Sequence, residues 1–262
     1  MRRLVPVAVA LLLASCAPAP SPELSREQPR LASESAEPSP IVVSSSSPAA
    51  IAAPSDQVHP TFPLGERLEG AQADFDCDGR ADQLDFYPIA GSAPIGLNRL
   101  ARLTLASGTV RDLALSGMEG VSPLIGIADV NGDGCDDAIV TLGHGASTTW
   151  TTFVVYDGND LRQAEEEGKP VMFLFGGSVR HGNAIECRRT KDAPEIVVRA
   201  VSDYTTELQW DTVEDVHHWS TKSHLVLWST SRSVIPVSVP YAMPPDTARY
   251  WGISCGAVKM DQ

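Results

Sequence analysis

The run Asp129-Val130-Asn131-Gly132-Asp133-Gly134-Cys135-Asp136-Asp137 constrains this chain more than any other stretch. It places side-chain oxygens at positions 1, 3, 5 and 9 of a nine-residue loop, with glycine at position 6. Alternate side chains of a tightly curled loop can point inward at one ion, and Ca²⁺ takes roughly six to eight oxygen ligands at about 2.3–2.6 Å. Gly134 permits a sharp turn with positive φ at little steric cost. Position 7, Cys135, would contribute its backbone carbonyl. The pattern recurs in Asp74-Phe75-Asp76-Cys77-Asp78-Gly79-Arg80-Ala81-Asp82, where Arg80 takes position 7. The expected calcium ligands are therefore Asp74, Asp76, Asp78, Arg80 and Asp82 in the first loop. In the second they are Asp129, Asn131, Asp133, Cys135 and Asp137.

The surroundings exclude an EF-hand, which needs helices on both sides and a bidentate Glu at position 12. That position is Asp85 in the first loop and Val140 in the second. The flanking runs Ile125–Ala128 and Ala138–Leu142 are short and strand-like, so each loop joins two strands. At these residues the chain resembles the calcium-binding repeats of integrin α-subunit β-propellers and the related FG-GAP and VCBS repeats of bacterial surface proteins. Asp74, Asp76, Asp78, Asp82, Asp129, Asn131, Asp133 and Asp137 match the repeat motif position for position. The resemblance covers about residues 68–200 and is specific at the two loops. It implies bound Ca²⁺ and a propeller-like arrangement of β-units.

Met1-Arg2-Arg3 followed by the apolar run Leu4–Ala14 reads as an export signal, too short to span a membrane. It ends in Leu13-Ala14-Ser15-Cys16, which resembles the lipobox of bacterial lipoproteins. By that resemblance residues 1–15 are removed, and Cys16 carries lipid and anchors the protein to a membrane. The expected location is the bacterial cell envelope, facing the periplasm or the cell exterior. Ten of the chain's twenty prolines fall in residues 17–63, with the Ser44–Ser47 run. Such a segment buries too little apolar surface to offset its ordering entropy, so residues 16–63 are expected to be a disordered tether. Residues 64–262 then form one domain of ordinary size.

Loss of Arg2 and Arg3 with the signal takes the formal charge from −13 to −15. That balance excludes a nucleic-acid partner, whose phosphates need Lys and Arg. Besides Cys16 there are four cysteines, Cys77, Cys135, Cys187 and Cys255. An even count in an exported domain points to disulfides. Of the three connectivities, Cys77–Cys135 joins the two acidic loops and Cys187–Cys255 joins two late strand-like runs, and this is the favoured pairing.

Strand patterns fill the rest of the domain. Gln83–Tyr87 is one, and Arg99–Ala106 with Thr109–Leu115 reads as a hairpin around Ser107-Gly108. Ala138–Leu142, Thr151–Tyr156, Val171–Phe175, Ala184–Cys187, Ala193–Arg199, Glu207–Trp210, His224–Trp228, Ser233–Val239 and Arg249–Val258 follow. Leu161–Gly168 is expected to be an exposed turn or a single helical turn. Asp82, Asp137 and Glu195 are 55 and 58 residues apart, a period of blade size. In the third unit the loop Arg188–Asp192 has lost the acidic ladder, and its arginines and lysine would repel Ca²⁺. The fold class is all-β: a small or partial β-propeller-like stack of antiparallel units, with a β-sandwich as the alternative.

No Gly-x-Ser-x-Gly elbow, His-Glu-x-x-His motif or phosphate loop occurs. His217 and His218 are adjacent on a strand and face opposite sides, so they do not share an ion. The five tryptophans suit packing, with a sugar-binding surface as the alternative. The expectation is a lipid-anchored, calcium-stabilised surface module that binds a protein or glycan partner without catalysis. A structural envelope lipoprotein, or a hydrolase on a propeller-like scaffold, stands as the alternative.

Overall fold

The computed structural model describes residues 63–90 and 96–261. The expected signal peptide, the lipidation residue Cys16 and the tether as far as residue 62 lie outside the described residues. Among the described residues the regular elements are seventeen β-strands and one 3-10 turn, so the fold is all-β.

The first unit is β1 (Glu69–Ala73), β2 (Asp82–Pro88), β3 (Arg99–Thr104) and β4 (Val110–Leu115), an antiparallel meander in that order. The second is β5 (Leu124–Ala128), β6 (Asp137–His144), β7 (Thr148–Tyr156) and β8 (Leu161–Gln163), again an antiparallel meander. The acidic loops occupy the same place in both, between the first and second strands. A small hairpin follows, β9 (Glu165–Glu166) and β10 (Lys169–Pro170). The third region is a run of antiparallel strands: β11 (Phe173–Ser178), β12 (His181–Arg189), β13 (Pro194–Ser202), β14 (Gln209–Trp219) and β15 (His224–Pro236). Because β11 also pairs with β7, the second and third regions form one continuous sheet. After the 3-10 turn Thr247–Arg249, β16 (Gly252–Cys255) runs parallel to β12, and β17 (Val258–Met260) folds back on it.

Side-chain alternation explains why these units stack. Successive residues of a strand point to opposite faces. On β6, Ala138 and Val140 join Phe75, Leu84, Phe86, Leu103 and Leu115 in a core against the first sheet. Ile139, from the other face, joins Phe153, Phe173, Phe175, Ile185 and Ile196. On β7, Val154 and Tyr156 face the first core, and Phe153 and Val155 the second. The β6–β7 pair is thus a middle layer buried on both sides, which is why its residues read as nearly unbroken apolar runs. Trp210, Tyr250 and Trp251 form a third, smaller core under the end of β14.

Three expectations are corrected. Leu161–Gly168 is neither an exposed turn nor a helical turn over most of its length. It supplies β8 and β9, because Leu161 and Ala164 are buried and Glu165 and Glu166 pair with His224 and His217. The runs His224–Trp228 and Ser233–Val239 are not separate: β15 spans them as one strand up to Pro236, held by its register on β14. Arg249–Val258 is not one strand but a 3-10 end, β16 and the turn into β17.

Phe75 is completely buried between the first and second units. Phe75→Ala is expected to cost about 3–5 kcal/mol, the range for a large aromatic deleted from a packed core. Urea unfolding of the oxidised protein measures it, and a loss below about 1 kcal/mol would contradict this packing.

Candidate metal centre

The two acidic loops share four hydrogen bonds and differ at the position-1 Oδ1, which takes the position-5 amide of Asp78 in the first loop and the position-4 amide of Gly132 in the second. The position-9 carboxylate takes the position-2 amide: Phe75 N–H donates to Asp82 Oδ2 at 2.9 Å and Val130 N–H to Asp137 Oδ2 at 3.0 Å. The position-1 carboxylate takes the position-6 amide: Gly79 N–H to Asp74 Oδ2 at 2.9 Å and Gly134 N–H to Asp129 Oδ2 at 3.0 Å. Position 3 takes the amide of position 5, and position 5 that of position 7, in both loops. Short Asp and Asn side chains are suited to such bonds with backbone two residues on. Position 6 has positive φ in both loops, at Gly79 and Gly134. Position 4 does too, and its residues differ for steric reasons. A Cβ at Gly132 would lie 2.3 Å from the Arg189 guanidinium and 2.8 Å from Pro194, whereas the first loop carries Cys77 there.

These loops are bound to each other. Cys77 is bonded to Cys135, so position 4 of the first loop is tied to position 7 of the second. Asp74 N–H donates to Asp136 Oδ2 at 3.0 Å, and Asp136 N–H donates to the Asp74 carbonyl at 2.9 Å. The second disulfide, Cys187–Cys255, joins directly opposed residues of the parallel pair β12–β16. Both pairings are the ones favoured from the sequence.

Charge distinguishes the two loops. In the first, carboxylate oxygens of Asp74, Asp76 and Asp78 all lie within 4.8 Å of one another. Burial and the neighbouring carboxylates of Asp82, Asp78 and Asp74 raise the Asp76 carboxyl above its ordinary range, against one backbone hydrogen bond that lowers it. Arg80 Nε donates to Asp78 Oδ2 at 2.9 Å, and this bond holds the Asp78 carboxyl low. Asp82 is 1% exposed, with Oδ1 accepting the Ala106 amide at 2.8 Å, which fastens the loop to the β3–β4 turn. In the second loop Asp137 is also 1% exposed. Burial, followed by the charges of Asp133 and Asp129, pushes its carboxyl well above the usual carboxylate range. Here the chain brings its own cations. Arg189 reaches Asp129 Oδ2 at 2.7 Å, and Lys222 Nζ reaches Asp133 Oδ2 at 2.9 Å. Cys77 and Cys135 also lie close to Asp133, but their sulfurs are joined and offer no thiolate.

The donor set of the first loop is of the kind Ca²⁺ takes: three converging carboxylates, a buried fourth, and the backbone carbonyl of position 7 are all hard oxygens. The second loop keeps the same backbone, with a neutral Asn131 at position 3 and two occupied carboxylates.

Other constellations resolve as structural. His217 bonds Glu166 at 2.9 Å and His218, on the opposite face, bonds Glu195 at 3.1 Å. His144 Nδ1 lies 2.8 Å from the Thr149 hydroxyl, bracing its own hairpin. Ser178 Oγ and the Tyr204 hydroxyl lie 2.9 and 3.1 Å from the same nitrogen, Nδ1 of His181, while the neighbouring Asp203 is held by Arg180 and not by the ring. Trp210, Trp219 and Trp251 are buried, as packing requires. Trp228 is 69% exposed and stacks at 4.7 Å on His218. The cations that serve the second loop escaped the sequence reading, because Arg189 and Lys222 lie 60 and 89 residues from their partners Asp129 and Asp133. No family model matches this chain, and no curated protein or solved structure matches it either.

Non-reducing peptide mapping is expected to recover Cys77 linked to Cys135. The 58-residue separation makes this bond worth about 4 kcal/mol in the chain-entropy model. Replacing both cysteines by alanine should lower stability by about that amount, and an unchanged urea midpoint would contradict it.

Proposed function

We propose that this chain is a lipid-anchored, calcium-stabilised surface module of the FG-GAP and VCBS kind, which binds a protein or glycan partner and performs no catalysis. The observation that carries the reading is the first loop, where the carboxylates of Asp74, Asp76 and Asp78 converge above a buried Asp82. Like charges gathered this closely repel, and a divalent cation is the simplest counter-charge for them. A bound Ca²⁺ would supply that charge and rigid ligation. The residues to hold it are Asp74, Asp76, Asp78, Asp82 and the carbonyl of Arg80. Two disulfides support an oxidising compartment, in line with the export signal ending at Cys16. The exposed ring of Trp228 supports a glycan or protein contact, since an open aromatic face suits both.

EDTA is expected to lower Tm of the purified protein by several degrees. Calcium at about 100 times its Kd stabilises by roughly 2.7 kcal/mol per site, and ~1 kcal/mol moves Tm by about 2–4 °C in a domain of this size. Mg²⁺ should restore it poorly, because it demands a tighter octahedral shell. Asp78→Ala should abolish the response. Superimposed melts with EDTA and with millimolar Ca²⁺ would refute the calcium reading. Separately, Cys16→Ala is expected to release the protein from membranes and to end fatty-acid labelling. Label that survives the substitution would exclude Cys16 as the anchor.

A further inference from the structure

The second acidic loop meets two other turns of the chain. Arg189 stands at the β12–β13 turn, where the third unit has lost its acidic ladder. Its guanidinium holds Asp129 twice, at the carboxylate (2.7 Å) and at the backbone carbonyl (2.8 Å). Lys222 stands at the β14–β15 turn and holds Asp133 at 2.9 Å. Its carbonyl accepts the Asn131 side-chain amide at 3.1 Å, so position 3 of the loop also faces this turn. A cation therefore sits on each of the two outer carboxylates, and an amide stands between them.

Charge balance separates this loop from the first. The first loop's ladder has four carboxylates with one paired arginine, which leaves three net negative charges. The second has three carboxylates with Arg189 and Lys222, which leaves one. Arg80 comes from within its own loop and engages only Asp78, so the convergence of Asp74, Asp76 and Asp78 persists. Arg189 and Lys222 come from separate turns and engage different ligand positions.

Resting on the calcium reading of the first loop, we infer that the second loop takes no ion: Lys222 and Arg189 are its built-in cations, and they latch the β12–β13 and β14–β15 turns onto the second unit. The chain then holds one Ca²⁺, in the first loop. The cationic turn of the third unit acquires a role as the counter-charge of its neighbour's loop. The two pairs are partly exposed, so each contributes modestly and the latch acts through their sum.

Calcium titration calorimetry on the whole protein, together with melts in EDTA, tests this. Asp133→Asn should leave the calcium count per chain unchanged, whereas Asp78→Asn should remove the binding. In EDTA, Lys222→Met and Asp133→Asn should each lower Tm by about 2 °C, and the double variant by little more than either. Lys222→Arg, which keeps the charge, should melt like the parent. Loss of a bound calcium in Asp133→Asn would overturn the inference, and so would additive effects in the EDTA cycle. If the parent binds no calcium at all, the reading of the first loop fails, while the EDTA cycle still decides the latch.

Discussion

A buried aspartate at the start of a strand governs this fold. Asp82 opens β2 and Asp137 opens β6, each 1% exposed. A buried carboxylate must be hydrogen-bonded or neutralised. Each accepts the amide of a residue seven positions earlier, which closes the acidic loop. The same bond draws position 2 inward: Phe75 and Val130 become core residues of successive layers. Polar loop and apolar core are therefore set by one contact, which the first and second units share.

The stack is tied most heavily at the end where these loops meet. A disulfide and two hydrogen bonds between Asp74 and Asp136 join the first two units there. Arg189 and Lys222 add the β12–β13 and β14–β15 turns to the same rim. Away from that rim, Arg99 does a comparable job without a counter-ion. It is buried, and its guanidinium donates to the carbonyls of Thr141, Met118 and Val121, bracing the link between the first and second units. Backbone carbonyls satisfy its donors, while burial lowers its pKa from the usual arginine value. Near β9, three glutamates that look like an exposed charge run are divided differently: Glu165 and Glu166 pair with His224 and His217, and Glu167 occupies the positive-φ turn before Gly168.

Local order was legible in the residues themselves. The all-β class, both loop boundaries, the Ser107-Gly108 hairpin and the strand on either side of each loop follow from alternation and turn chemistry, which act over a few residues. Both disulfide pairings are the ones favoured among three connectivities by the placement of Cys77 and Cys135 in the acidic loops and of Cys187 and Cys255 in strand-like runs. The loops' internal hydrogen bonds are equally local: they depend on Asp, Asn and Gly at fixed short spacings, and the two loops share those spacings.

What only the tertiary structure decided is everything carried by distant partners. Whether the apolar runs of β6 and β7 face one core or two depends on what lies on each side, and no short window contains that. The long β15 strand exists because its register on β14 bridges a polar stretch, Ser229–Ser233, that alone reads as an interruption. Most tellingly, the two acidic loops are near twins in sequence, yet their charge environments differ. The first presents three converging carboxylates, of which Asp78 is paired with Arg80 from within the loop, and the second is met by Arg189 and Lys222 from turns that only folding brings near. Spacing along the chain determines which oxygens can converge. Which cation answers them depends on long-range contacts, because electrostatic energy depends on distance in space and not along the sequence.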